Sequence, residues 1–201
     1  DGHIVSSYIG MVLPNPELNQ LHPEIAKKVE SNSEKTVWTI QLREGMKWSD
    51  GHPFTADDIL FWYNDILLNK QLTPAVGQAW KAGGEVMEVK KIDDYTIQFK
   101  FNKSKPFFIN DLVHQPAWAF MAPKHYLKNY HPKYVSKEEL AEKTKEEEFD
   151  NWWELFQNKN NVSWELSLNP DRPTLGSWVL VKKTSSRLLY ERNPYYWKVD
   201  T

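Results

Sequence analysis

Leu42-Arg-Glu-Gly-Met-Lys-Trp-Ser-Asp-Gly-His-Pro-Phe-Thr-Ala-Asp-Asp58 is the stretch that decides the fold, because it leads from a strand through a turn to the start of a helix. The segment before it, residues 37–42, alternates in character, with Trp38, Ile40 and Leu42 on one face. Successive side chains of a strand point to opposite faces, so this alternation predicts a half-buried strand.

The second half of the stretch has the signals of a turn and of a helix N-terminus. Ser49-Asp50-Gly51 has turn chemistry, and Thr55 stands three residues before Asp58. A threonine hydroxyl can cap the first turn of a helix, and acidic side chains there favour the helix dipole, so a helix is predicted to begin near Ala56. Its apolar stripe at helical spacing consists of Ile59, Trp62, Tyr63, Ile66 and Leu67.

Short strands and short helices are predicted along the rest of the chain. Alternation and turn residues predict two hairpins, formed by strands at 86–92 and 96–101 and by strands at 178–183 and 187–192. Proline and capping signals predict short helices at 106–113 and 123–130 and a helix after Ser136, followed by a polar loop at 157–161. No internal repeat is present, and the class is mixed α and β.

Composition excludes several classes of function. The 25 Lys and Arg residues nearly balance the 27 Asp and Glu residues, and the net charge of -2 gives no basic field for nucleic acid. The chain has no cysteine, which excludes disulfides and thiol catalysis. The 10 Trp, 9 Tyr and 9 Phe residues are numerous, and we expect most of them to lie in the core.

The opening stretch resembles the signature of the family 5 extracellular solute-binding proteins, in its Leu-Arg, its Gly followed by an aromatic, its Asp-Gly, its Pro and its Thr-Ala-Asp-Asp. Three further stretches resemble the family and fall in its order along the chain. They are Pro23-Glu-Ile-Ala-Lys-Lys-Val-Glu30, Asp93-Asp-Tyr-Thr96 and Glu191-Arg-Asn-Pro-Tyr-Tyr-Trp197.

This resemblance implies a mixed α/β chain with part of a periplasmic-binding-protein-like II fold. Family members have more than twice this length and two ligand-gripping lobes, so the chain is expected to be an internal fragment that lacks the C-terminal lobe and the signal segment. By the same resemblance, residues 1–165 are mainly the domain inserted in the N-terminal lobe, and 166–201 are return strands of that first lobe. Where the family carries Gly-Thr-Gly-Pro-Tyr, this chain has Thr174-Leu-Gly-Ser-Trp178, which changes the local loop geometry.

The residues that could do chemistry favour binding over catalysis. Asp57 and Asp58 lie in the first turn of the predicted helix, where capping explains them better than a catalytic pair. His125 and His131 lack the spacing of a helical metal pair, and no nucleophile elbow or phosphate loop occurs. We therefore expect no enzyme activity, no metal and no cofactor.

Aromatic and loop residues are the candidates for ligand contact. Trp118 and Phe120 lie in an apolar loop bounded by prolines, where a core role is the alternative. Thr174, Gly176, Ser177 and Trp178 occupy the loop that the resemblance places nearest the cleft of the first lobe. Arg172 could offer its charge to a ligand carboxylate.

The function that the resemblance implies is solute capture for an ABC importer, with delivery to a membrane permease and its ATPase subunits. An oligopeptide is the expected solute, and an oligosaccharide is the alternative because aromatic side chains also stack on sugars. The expected location is periplasmic or extracellular, with a lipoprotein anchor as one form. A tryptophan-rich carbohydrate-binding or hydrolytic module is the alternative of another class.

Overall fold

The computed structural model describes residues 10–15, 20–114, 120–163 and 166–198. Trp118 lies outside these residues. The backbone divides into two compact units, which we name after their main β element. The sheet unit contains residues 8–46 and 54–121, and the hairpin unit contains residues 1–7, 47–53 and 122–201.

An antiparallel four-stranded sheet forms the centre of the sheet unit. The strands of this unit are β1 (Val12–Pro14), β2 (Leu21–Pro23), β3 (Ala26–Ser31), β4 (Val37–Leu42), β5 (Lys81–Ala82), β6 (Glu85–Val86), β7 (Glu88–Asp93) and β8 (Thr96–Lys100). The sheet has the order β3-β4-β8-β7, and the pairs β1-β2 and β5-β6 stand beside it as separate ribbons. The predicted strand at 37–42 is confirmed, and so is the hairpin, whose first strand begins at Glu88.

One face of this sheet forms the core, as the alternation predicts. Trp38 lies opposite Phe99 and Ile40 lies opposite Ile97, and all four side chains are buried. Phe108, from the helix α2 (Phe108–His114), packs its ring edge-on against Trp38, with the ring centroids 5.9 Å apart. A Trp side chain at this position therefore joins the sheet to the helix above it.

The predicted capped helix begins as expected and then changes its period. Helix α1 (Ala56–Phe61) has Thr55 as its N-cap, and a capping box links Thr55 with Asp58. The helix continues as a π-helix over Trp62–Leu67, followed farther along by a 3₁₀ turn at Gln78–Trp80. Since Trp62 and Leu67 are five residues apart, the wider π turn can bury both side chains on one face.

Short helices and two β ribbons form the hairpin unit. The helices are α3 (Lys124–Leu127), a 3₁₀ turn at Lys128–Tyr130, α4 (Lys137–Glu146) and α5 (Trp152–Lys159). The strands are β9 (Val162–Ser163), β10 (Leu166–Ser167), β11 (Trp178–Lys183) and β12 (Leu188–Arg192). The predicted hairpin is confirmed as the antiparallel pair β11-β12.

Helix α5 extends into the segment that the sequence predicted to be a polar loop. The prediction of a polar loop at 157–161 is wrong for its first residues, because α5 extends to Lys159. A capping box at Asn151 and Glu154 starts this helix, and Leu155 and Phe156 are buried by it. Lys159 is also buried and pairs with Glu147, so the polar end of the helix is held by an ion pair.

Candidate functional site

The signature loop of the sequence, residues 47–53, belongs to the hairpin unit and closes on itself. Trp48 N donates to His52 O at 2.8 Å, and Gly51 N donates to Trp48 O at 2.9 Å. Gly51 adopts φ +86°, a conformation that side chains with a Cβ rarely adopt. The Ser-Asp-Gly motif is therefore a tight turn, as its composition predicts.

Two hydrogen bonds join this loop to the loop 172–178, which contains most of the predicted ligand-binding residues. Ser49 N donates to Thr174 O at 2.9 Å, and Thr174 N donates to Ser49 Oγ at 3.1 Å. Inside the second loop, Gly176 N donates to Thr174 Oγ1 at 3.0 Å. Thr174 and Gly176 thus form hydrogen bonds that order the backbone of the loop.

Asn193, from the Asn-Pro-Tyr stretch after β12, holds the other side of the same loop. Its amide Nδ2 donates to Gly176 O at 2.7 Å and its backbone N donates to Ser177 O at 2.8 Å. The side chain is 2% exposed, so both groups are bonded away from water. A buried amide of this kind orders a loop strongly, because leaving it unpaired costs more than the bond contributes.

Tyr195 covers the turn of the signature loop. A Cβ placed on Gly51 would lie 3.1 Å from Tyr195 Cζ, and the Lys47 ammonium lies 5.5 Å from the centroid of the Tyr195 ring. A side chain at position 51 would therefore make a tight contact with the Tyr195 ring. Two of the stretches that carry the sequence resemblance, the signature loop and residues 191–197, thus meet within one unit.

Arg172 is buried and uses its guanidinium inside the chain. Its Nε donates to Asn160 Oδ1 at 3.0 Å and its Nη1 donates to Pro173 O at 3.1 Å. Burial lowers the pKa of Arg172 to about 10, while the nearby Tyr126 acts in the opposite direction. Two donors of Arg172 thus form hydrogen bonds within the chain. The guanidinium charge, which the sequence analysis proposed for a ligand carboxylate, is buried.

An open pocket of about 380 Å³ lies beside these loops and is lined by both polar and apolar side chains. Its lining includes Asp50, His125, Tyr126, Asn129 and Asp171. His125 Nε2 lies 2.7 Å from Asp50 Oδ2, and the His125 ring is stacked on that of His52 with the centroids 3.9 Å apart. The volume falls within the range of about 300 to 1,000 Å³ that is typical of small-molecule sites.

The Tyr126 hydroxyl at this pocket is held in its neutral form. Burial raises its pKa, and the neighbouring Tyr130 adds to the shift. Asn169 Nδ2 donates to the hydroxyl oxygen at 3.0 Å. At neutral pH the pocket therefore presents a phenol, not a phenolate.

The predicted ligand-binding residues are divided between the units. Ser177 lies directly before β11 and is partly exposed, and Trp178, the first residue of β11, is 38% exposed. Phe120 is fully buried in the sheet unit, where its ring centroid lies 5.8 Å from that of Trp62 and 5.5 Å from that of Trp80. It has the core role that the sequence left as an alternative, and contact of any of these residues with a solute stays a prediction.

The sequence did not identify Asp50, His125 or Asp171 as pocket residues. It also did not identify Asn193 as the residue that holds the loop 172–178. Ser49 and Asp50 stand inside the recognised signature and Asn193 stands inside the last recognised stretch, so the motifs already contained the signal. No local pattern links them, because their partners are distant in sequence. Among the described residues, no group of three or more His, Cys, Asp or Glu side chains could hold a metal ion.

The family model "Bacterial extracellular solute-binding proteins, family 5 Middle" matches residues 20–201. The chain is similar to the periplasmic alpha-galactoside-binding protein of Rhizobium meliloti, with 34% identity over 89% of this chain and 23% of that protein. It is also similar to the periplasmic oligopeptide-binding protein OppA of Salmonella typhimurium, with 26% identity over 87% of this chain and 28% of that protein. The chain thus spans about a quarter of the length of these relatives.

Solved structures agree with this similarity. An oligopeptide-binding protein OppA superposes with a TM-score of 0.85 and 36% identity, over 96% of this chain and 29% of that one. The periplasmic binding protein MelB from Agrobacterium fabrum, solved in complex with stachyose, gives a TM-score of 0.73 and 28% identity, over 99% of this chain and 28% of that one. In the part of the chain that the structure describes, no helix is both long enough and apolar enough to cross a membrane.

Proposed function

Because this chain belongs to the bacterial extracellular solute-binding proteins of family 5, we propose that the whole protein is the capture component of an ABC importer. In this proposal it binds a solute in the periplasm or at the outer cell surface, leaves every bond of the solute intact, and delivers it to the permease of the importer and its ATPase subunits. The observation that carries the proposal is the match of the family model to residues 20–201.

The loop geometry supports a role in binding. The loop 172–178 is held by Ser49 on one side and by Asn193 on the other. A loop that is ordered before the solute arrives loses less conformational entropy when the solute binds. The first lobe would thus present a preformed surface to its solute.

An oligopeptide is the first candidate for the solute. The OppA structure supports it, since it matches nearly the whole chain at 36% identity. An oligosaccharide is the second candidate, because the relative that binds alpha-galactosides is 34% identical over 89% of the chain and MelB was solved with stachyose.

Thermal unfolding of the full-length protein tests this proposal. The protein would be heated with a pool of short peptides and, separately, with stachyose and raffinose. A ligand at about a hundredfold excess over its dissociation constant stabilises the native state by about 2.7 kcal/mol, which raises the Tm visibly. We expect one pool to raise the Tm and the ligand to be recovered unchanged.

Two results would contradict the proposal. One is the absence of any shift with either pool. The other is cleavage of the added sugar or peptide, which would make the protein a hydrolase. A shift with one pool only would assign the solute class.

A further inference from the structure

Two histidine rings from different elements lie face to face beside the pocket. His52 belongs to the signature loop and His125 belongs to α3, and their ring planes differ by only 4° with the centroids 3.9 Å apart. His125 contacts the loop a second time, since its Nε2 lies 2.7 Å from Asp50 Oδ2. The stack and this hydrogen bond together hold the signature loop against α3.

The partners of the two rings show which nitrogen of each ring carries a hydrogen at neutral pH. A carboxylate and a carbonyl oxygen only accept, so His125 Nε2 donates to Asp50, and His52 Nδ1 donates to Pro53 O at 3.0 Å. A further proton can therefore enter only at His125 Nδ1 or at His52 Nε2. His52 is exposed, whereas His125 Nδ1 is buried without a hydrogen-bond partner among the described residues. Protonation of His125 thus adds a buried N–H group that has no acceptor, which costs free energy.

This arrangement accommodates one positive charge and opposes a second. A single charged ring is stabilised by the Asp50 carboxylate and by the face of the neutral ring stacked on it. Two charged rings would place like charges 3.9 Å apart, and this repulsion is about fourfold stronger near a protein surface than in bulk water. Protonation of both rings therefore favours their separation.

The surrounding charges do not cancel this repulsion. Besides Asp50, the charged groups that line the pocket with His125 are Asp171 and Arg172, which have opposite signs. Tyr126, the next residue of α3, stays neutral because burial raises its pKa. The response of the pair to pH is therefore determined by the two imidazoles and Asp50.

We propose that His52 and His125 form an acid-sensitive latch of the signature loop. At neutral pH the rings are stacked and His125 holds Asp50. When acid protonates both rings, the rings separate, the loop moves away from α3, and the Asp50 carboxylate becomes free at the pocket. The latch is a property of this loop and exists whether or not the protein captures a solute.

Hydrogen exchange of the full-length protein, followed by mass spectrometry on a peptide that contains residues 47–53, tests the latch. Trp48 N donates to His52 O and Gly51 N donates to Trp48 O, so both amides report on the stacked state of the loop. An isolated histidine has a pKa of about 6.5, so exchange is compared at about pH 7.5 and about pH 5, after correction for the intrinsic rates. The open loop binds more protons than the stacked one, and we expect its protection to fall about 10-fold in acid.

Variants at position 52 separate the latch from a merely structural stack. His52→Phe keeps a ring against His125 but takes up no proton, so the protection of the loop should stay constant between the two pH values. His52→Gln, a second variant that cannot be protonated, should likewise show no acid response. His22→Phe is the matched control, because His22 is an exposed histidine of β2 in the sheet unit, and it should lose protection as the wild type does.

Two results would overturn the latch. One is a wild-type loop that keeps its protection in acid. The other is a His52→Phe protein whose loop loses protection as strongly as that of the wild type.

Discussion

Ser49 and Thr174 form two reciprocal hydrogen bonds although 125 residues separate them in the sequence. Ser49 N donates to Thr174 O, and Thr174 N donates to Ser49 Oγ. The first bond needs only the backbone of residue 49, whereas the second needs its hydroxyl. The serine side chain of the signature thus contributes one of the two links between the loops.

Replacing Ser49 with Ala should destabilise the full-length protein by about 1 kcal/mol, because Thr174 N loses its acceptor. Chemical denaturation would measure the change. Ser185→Ala is the control, since Ser185 lies exposed in the turn between β11 and β12 and should change stability by less than about 0.5 kcal/mol. Equal effects of the two substitutions would contradict the role given to the Ser49 hydroxyl.

Gly51→Ala should cost more stability than Gly45→Ala. Both glycines have positive φ, +86° and +77°, so both substitutions carry a backbone cost of about 1 to 2 kcal/mol. Only at Gly51 would the new Cβ meet another side chain, at 3.1 Å from Tyr195, while the space around Gly45 is open. Urea unfolding of both variants measures the difference in the free energy of unfolding. The same pair of substitutions in a Tyr195→Ala background should show a smaller difference. Equal losses in the wild-type background would contradict a role for the contact with Tyr195.

Asn193→Asp should destabilise the protein more than its near-identical shape suggests. The carboxylate could still accept from Tyr195 N, as Asn193 Oδ1 does at 2.9 Å, but it would face Gly176 O with an oxygen in place of the donating Nδ2. A lost donor at a buried carbonyl costs about 1 to 3 kcal/mol. Asn193→Ala leaves the carbonyl unpaired without adding a charge, so its midpoint in thermal unfolding should lie between those of the wild type and Asn193→Asp.

Lys91 stabilises the start of α1 at neutral pH through ion pairs with Asp57 and Asp94, at 2.9 and 2.6 Å. Hydrogen bonding to Asp94, and then to Asp57, raises the pKa of Lys91 above its ordinary value, although burial opposes the shift. Its stabilising effect is therefore complete below the ordinary lysine pKa of about 10.4 and is lost as the pH rises through the higher folded value.

Lys91→Gln should cost less than about 1 kcal/mol, because both carboxylates are largely exposed, and the loss should shrink in high salt. Between about pH 6 and 9 the difference from the wild type should stay constant, since Lys91 is protonated throughout this range. Lys90→Gln, on an exposed neighbour in β7, is the control. A loss that varies within this pH range would contradict the assignment.

Local patterns predicted the secondary structure well where a period or a cap was clear. The strand Val37–Leu42 and the cap at Thr55 are confirmed, because alternation and capping depend on residues that are neighbours in sequence. The π-helix at Trp62–Leu67 was not predicted, since its five-residue spacing appears only when packing selects it. The polar end of α5 was mistaken for a loop because its Lys159 pairs with Glu147, which lies in the turn after α4 and not in a neighbouring position of the sequence.

The site was harder to predict than the fold. The sequence indicated the loop 172–178, but the depth of Arg172 could not be inferred, since Asn160 and Pro173 take up its donors only when the chain is folded. Asp50 was read as a turn residue and His125 was weighed only as a metal ligand. Their pairing at 2.7 Å depends on the placement of α3 beside the signature loop.

By itself the sequence determined the family, the strand-turn-helix start and the two main hairpins, because motif spacing, alternation and capping are properties of neighbouring residues. Only the tertiary structure decided that the signature loop, the loop 172–178 and Asn193 meet in one unit. Only the tertiary structure showed that a pocket opens beside them. Ser49 and Thr174 are 125 positions apart and Asp50 and His125 are 75 apart, so their hydrogen bonds form only after the packing of the unit has brought the loops together.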